Sequence, residues 1–186
     1  PGHGQRPDSL PAEATVQDYA HAIHEIIKQE LHLIHPIIAG HSLGGAIALT
    51  MGLEYRSELA GLLLIGTGAR LKVHPDLLAS ARQQPQEAKQ RLTTLALTQQ
   101  HLPTISTELN NEVAMPGPTI LYRDLAACNR FDVMGRLHEL TLPTLIICGA
   151  EDRLTPAKYS QYLHQHIANS TLCIVPSAGH YVMREE

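Results

Sequence analysis

Three residues of the 186-residue chain have side chains suited to nucleophilic chemistry: Ser42 in GHSLGG, Asp152 in GAEDRLTP and His180 in AGHYV. A serine hydroxyl is a feeble nucleophile until a base removes its proton. Histidine can be that base, and a carboxylate fixes its tautomer and stabilises the imidazolium that forms. Brought to one point, such a set attacks a carbonyl carbon and holds the acyl group as a covalent intermediate. The oxygen that becomes negative needs hydrogen-bond donors of its own. Backbone N–H groups at the start of a helix supply them, and Leu43, directly after Ser42, is the candidate for one.

For that chemistry the surrounding elements must carry all three residues to one rim. PIIAG, ending at Gly40, reads as a buried strand, and LGGAIALTMGLEYRSEL after Ser42 reads as a helix. Between and beside them Ala39, Gly40, Gly44 and Gly45 are all small. Strands favour β-branched residues and helix interiors avoid glycine, so these positions cost local stability. The G-x-S-x-G pattern explains them: on a sharp strand-to-helix turn, small neighbours let the two elements approach and leave the serine projecting. GLLLIG is a second strand, parallel to the first through a right-handed crossover. PTLIICGA holds a third, with Asp152 in the loop beyond it and Pro156 opening the next helix. A last strand in STLCIVPSAGHYVMREE leads into the loop that bears His180.

Upstream, TVQDYAHAIHEIIKQELHL sets Val16, Tyr19, Ala20, Ile23, Ile26, Ile27 and Leu31 at helical spacing. Thr15 followed by Asp18 resembles a capping box. From Ala69 to Leu140 the texture changes to three or four short helices broken by Pro75, Pro85, Pro103, Pro116 and Pro118, without strands. The chain therefore divides into a core segment, residues 1–68, a helical insertion, 69–140, and a second core segment, 141–186. The fold class is α/β, a mostly parallel sheet with flanking helices. Such an insertion is expected over the C-terminal ends of the strands, where ligands bind in these sheets.

Apolar residues make up 44% of the chain, enough for a core in a domain of this length. A net charge of −4 with no basic run argues against nucleic acid or an anionic membrane surface as partner. No apolar run approaches the roughly 18–20 residues of a bilayer span. Cys128, Cys148 and Cys173 are too few and scattered for a disulfide framework or a zinc site. Cys148 and Cys173 lie in strand-like runs and are expected to be buried thiols, which favours a reducing, cytoplasmic setting. His21, His24, His164 and His166 lack a partner at ligand spacing, so no metal is expected. The Gly-rich turn has no phosphate-binding lysine and no G-x-G-x-x-G follows a strand, which disfavours a nucleotide module.

Taken together, GHSLGG, GAEDRLTP and AGHYV resemble the elbow, acid and base motifs of the α/β-hydrolase fold superfamily, in its serine-nucleophile branch with a helical cap. PGHGQR at the start resembles the loop after that family's fourth strand. The resemblance implies Ser42 as nucleophile, Asp152 as acid, His180 as base, the Leu43 N–H as one oxyanion donor, no cofactor and a small-molecule substrate. The implied reaction is hydrolysis of a carboxylic ester, thioester or lactone of a small or medium substrate. A peptidase, acyltransferase or perhydrolase on the same fold, or a ligand-binding protein with an idle triad, are the alternatives. The family's sheet has eight strands and this chain supplies the last four, so an incomplete sheet with an exposed apolar edge at PIIAG is expected. The loop that gives the second oxyanion donor and the final helix are expected outside the chain, which starts at Pro1 in mid-motif.

Some neighbours compete for these roles. Glu151 adjoins Asp152, but the family pattern places the acid at 152. His41 is expected to pack or support, with its side chain turned away from that of Ser42, and His3 to serve its own loop. In the insertion, Leu97, Leu102, Leu121 and Leu125 are expected chiefly to pack against the core while supplying aliphatic pocket walls. With one Phe and no Trp, aromatic lining is sparse.

Overall fold

The four apolar runs become the strands of one sheet in the computed structural model, which describes residues 1–112 and 118–186; Pro116 lies outside them. β1 (Ile37–His41), β2 (Gly61–Ile65), β3 (Thr144–Gly149) and β4 (Ser170–Val175) stand in that order across the sheet. All three pairings are parallel, with Ile37 opposite Gly61, Leu62 opposite Thr144, and Thr144 opposite Ser170. Parallel neighbours need long return paths. α2 (Leu43–Glu54) returns the chain from β1 to β2, and α7 (Ala157–His166) from β3 to β4.

The first helix, α1 (Val16–Glu25), starts where the sequence pattern puts it. The Thr15 hydroxyl accepts the Asp18 N–H, while the Asp18 carboxylate accepts the Thr15 N–H at 2.7 Å. Regular α-helix ends earlier than the apolar spacing predicts, because Ile26–Glu30 widens into a π-helical turn. α2 is apolar almost all round, the pattern of a helix enclosed on most sides. Its Ala46, Ala48, Leu49 and Met51 join Val16 and Tyr19 of α1, Leu62, Leu64 and Ile146 of the sheet, and Leu163 of α7 in the main core.

Between β2 and β3 the chain leaves the sheet. It forms α3 (Pro75–Gln83), α4 (Pro85–Ala96), α5 (Leu102–Glu112) and α6 (Pro118–Arg130), then a 3-10 stretch, Met134–Glu139. Pro75, Pro85 and Pro118 occupy first helical positions and Pro103 the second, where the missing N–H has no partner to lose. These prolines start helices rather than break them. Leu97, Ile105 and Leu109 form a small core of their own, and Arg70 bridges to Asp132 at the neck of the insertion.

The edges of the sheet explain one correction. β1 is a bare apolar edge, as expected, with Ile37 67% exposed. β4 is the opposite edge, and its Thr171, Cys173 and Ile174 are exposed as well. Cys148, in the inner strand β3, is buried as expected; Cys173 is not, because an apolar run at a sheet edge leaves alternate side chains uncovered. All three cysteines are free. No described helix is long and apolar enough to cross a membrane.

Candidate active site

β1 ends at His41 and α2 begins at Leu43, so Ser42 makes the whole turn between them. Its backbone sits at φ 53° and ψ −116°. A non-glycine residue held in such a region stores on the order of 1–3 kcal/mol. The surroundings impose it. The Ser42 N–H donates to the Ile65 oxygen at 3.0 Å, and the Ser42 oxygen accepts the Gly45 N–H at 2.9 Å and the Thr67 hydroxyl at 2.9 Å. A Cβ on Gly40 would stand 2.0 Å from the Gly44 oxygen, and one on Gly45 would stand 2.5 Å from Thr67 Cγ2. Strand and helix can cross this closely only over glycine at these two places. Gly44 faces open space, so the crossing does not demand it.

Asp152 lies three residues beyond β3, in a turn that its own side chain organises. Oδ1 accepts the N–H groups of Leu154 and Thr155, both at 2.8 Å. Oδ2 accepts the Thr155 hydroxyl at 2.8 Å and meets His180 Nδ1 at 2.8 Å. The two side chains are 0% and 4% exposed. A carboxylate only accepts, so the contact places the imidazole hydrogen on Nδ1 and leaves Nε2 as the basic nitrogen. Burial pushes the Asp152 carboxyl up, but the His180 imidazole and the Thr155 donors outweigh it and hold the group below the usual carboxylate value. Glu151 is exposed, and the imidazole's partner is Asp152.

The main chain of His180 is held as firmly as its ring. Its N–H donates to the Ala96 oxygen at 2.6 Å, and its carbonyl accepts the Nε2–H of His41 at 2.9 Å. His41 thus turns to the neighbouring main chain. Burial, and then the adjacent His180, pull its pKa down to about 4, which keeps it a neutral donor.

Ser42, Leu43 and His180 border one cavity of ≈ 310 Å³, whose far wall is Leu92, Leu121 and Leu125 of the insertion. A second cavity of ≈ 220 Å³ also reaches Ser42, between Leu71, Leu77 and Tyr159. Residues of the insertion therefore share both cavities with Ser42. Leu121 and Leu125 face this space, whereas Leu97 and Leu102 pack in the small core beside it. Of the four expected aliphatic walls, Leu121 and Leu125 line the cavity and Leu97 and Leu102 take the packing role.

A buried polar network that the sequence did not disclose fixes the α6 wall. Arg123, 2% exposed, donates to both Asp8 oxygens at 2.9 Å and to the Tyr19 hydroxyl at 2.9 Å. Tyr19 in turn donates to Asp124, which also takes His3 Nε2 at 2.8 Å and lines the larger cavity. His3 therefore ties its loop to α6. Among the described residues no group of three or more His, Cys, Asp or Glu could hold a metal. His24 bonds Glu58, His164 bonds Ser170, and His166 bonds the Tyr162 oxygen.

A family model described as serine aminopeptidase, S33, matches residues 1–186. The chain is an α/β-hydrolase of that family. This hydrolase is 34% identical to a solved thermophilic esterase, with a TM-score of 0.82 over 100% of this chain and 72% of the other. It is 28% identical to the pimeloyl-[acyl-carrier protein] methyl ester esterase of Neisseria meningitidis, over 97% of this chain and 73% of the relative. It is 26% identical to the putative carbamate hydrolase RutD of Variovorax paradoxus, over 96% and 71%. A structure described as Est816, an N-acyl homoserine lactone degrading enzyme, shares the fold at TM-score 0.82 and 21% identity, over 100% and 75%. The relatives carry the names of esterases and hydrolases, and this chain is an enzyme of that class.

Proposed function

We propose that this α/β-hydrolase cleaves a carboxylic ester, thioester or lactone of small or medium size through Ser42, His180 and Asp152. The observation that supports it most is the buried 2.8 Å contact between Asp152 and His180, beside a serine held on a strained turn in the same cavity. In this reading His180 Nε2 takes the Ser42 proton as the hydroxyl oxygen attacks the substrate carbonyl. The tetrahedral oxygen is met by the Leu43 N–H, one of the first N–H groups of α2, which lack partners within the helix. His180 then protonates the departing group, and an acyl-enzyme on Ser42 is left. Water, deprotonated by the same imidazole, attacks it and frees the acid.

The aliphatic walls suit an acyl chain, and residues 69–140 act as a cap over it. The names of the relatives, a methyl ester esterase and a carbamate hydrolase, favour acyl transfer to water over binding alone. The free thiols of buried Cys128 and Cys148 suit a cytoplasmic setting. The test is a panel of p-nitrophenyl esters of graded acyl length, with fluorophosphonate labelling. The reading expects Ser42 to take the label and Ser42→Ala to be inert. Asp152→Asn is expected to lose about four orders of magnitude in kcat. Full turnover by Ser42→Ala would end it.

A further inference from the structure

One buried charge has no part in that scheme. Glu185 lies in the short turn of helix α8 (Val182–Glu185), and its side chain is 0% exposed. A carboxylate withdrawn from water costs several kcal/mol unless its oxygens find donors. Here they find main chain from two segments, one 6 residues away and the other 87. Oε1 accepts the N–H of Gly179 at 3.1 Å, and Oε2 accepts the N–H of Thr98 at 3.0 Å. His101 Nδ1 stands 3.4 Å from Oε2 and 3.0 Å from the Thr98 hydroxyl.

Gly179 directly precedes His180, and Thr98 lies in the connection from α4 to α5. The same carboxylate therefore joins the loop that carries the imidazole to the insertion that walls the cavity. Beside it the His180 N–H reaches Ala96 across the same seam. The ring is anchored at Nδ1 by Asp152 and the carbonyl by His41, while the peptide ahead of it is anchored by Glu185. A glutamine there would offer one acceptor for two N–H donors and would turn its own donors toward the second.

We infer that Glu185 is a positioning residue for His180, acting through the Gly179 peptide; this rests on the reading of His180 as the base. The clamp fixes the peptide that carries the imidazole into the cavity it shares with Ser42 and couples it to the α4–α5 junction. Misplacement of a reacting group by about 1 Å costs up to two orders of magnitude in rate.

The experiment compares Glu185→Gln and Glu185→Asp with wild type in the full chain. Reactive serines are first titrated to completion with a fluorophosphonate, so that kcat refers to folded sites alone. In Glu185→Gln the expected result is a fall in kcat of roughly tenfold or more with KM within about twofold. The low-field proton of the Asp152–His180 contact should broaden or disappear. Glu185→Asp keeps the charge one methylene short, and serves if the glutamine variant does not fold; its kcat should lie between the two. Wild-type kcat per titrated site in either folded variant, or a change in KM alone, overturns the clamp. A wild-type enzyme that takes no label removes the Ser42–His180 reading itself, and the clamp with it.

Discussion

His41 and His180 are joined through a main-chain oxygen, with His41 Nε2 2.9 Å from the His180 carbonyl and the two rings 4.5 Å apart. Burial and the neighbouring imidazole lower the His41 pKa from 6.5 to about 4 and keep the ring neutral, although the carbonyl contact itself favours the protonated form. Between those values the unfolded chain binds a proton that the folded chain refuses. Stability therefore falls as pH drops through that window, by about 3 kcal/mol at its lower end. Asp152 acts lower: its depressed value contributes stability above the ordinary carboxylate pKa of 3.8, lost only as pH falls past it. Urea unfolding at about pH 7 and about pH 5 reads the slope, and His41→Gln is expected to flatten it. An equal slope in the variant would show that another group carries the dependence.

Ser42 stores strain that glycine would not feel, because its φ of 53° lies where L side chains crowd the backbone. Ser42→Gly is expected to abolish turnover and to raise stability by about 1 kcal/mol, the relief of strain less the extra freedom of glycine in the unfolded chain. Guanidinium midpoints at equal m-value measure it. A variant no more stable than wild type would mean the turn is relaxed.

Gly44 and Gly45 are adjacent but should respond in opposite ways. An alanine methyl at 45 meets Thr67 Cγ2 at 2.5 Å and Thr67 Oγ1 at 2.8 Å, and that hydroxyl holds the Ser42 carbonyl. Gly45→Ala should therefore lower both stability, by about 1–3 kcal/mol, and kcat. Gly44→Ala enters open space on a helix and should gain up to about 1 kcal/mol. Thermal melts and ester turnover on the pair decide it; equal losses at both positions would contradict the geometry.

The β1 edge should govern the solubility of the 186-residue chain. Ile37 is 67% exposed on a strand paired on one side only, and Ile34 just before it is 86% exposed. Apolar edges template strand addition, and a lysine blunts them. Ile37→Lys is expected to delay light scattering on warming by several degrees, whereas Leu145→Lys, on an inner strand, should not.

Much of this architecture was readable along the chain. Thr15 with Asp18 marked the start of α1, and the apolar runs with their turn residues marked four strands, because caps and strand periodicity are local properties. The exposure of Cys173 escaped, since the run STLCIV looks the same on an inner strand or an edge. Leu121 and Leu125 read with Leu97 and Leu102 as aliphatic walls, but which pair lines the cavity escaped: helical spacing reports a buried face, not what that face meets. Arg123 gave no signal, as its partners Asp8 and Tyr19 lie 115 and 104 residues away.

Local pattern was enough to mark Ser42, Asp152 and His180 as chemically able, because strand-turn-helix sterics and loop position are written in neighbouring residues. It could pair Asp152 with His180 by their roles but not give the buried 2.8 Å contact between them, nor say that Glu185 meets Thr98 across 87 residues. Those contacts arise when β3, β4 and the insertion pack on one another and withdraw the carboxylates from water. A buried charge takes whatever donors the assembled chain brings to it, and its partner is a property of the packing.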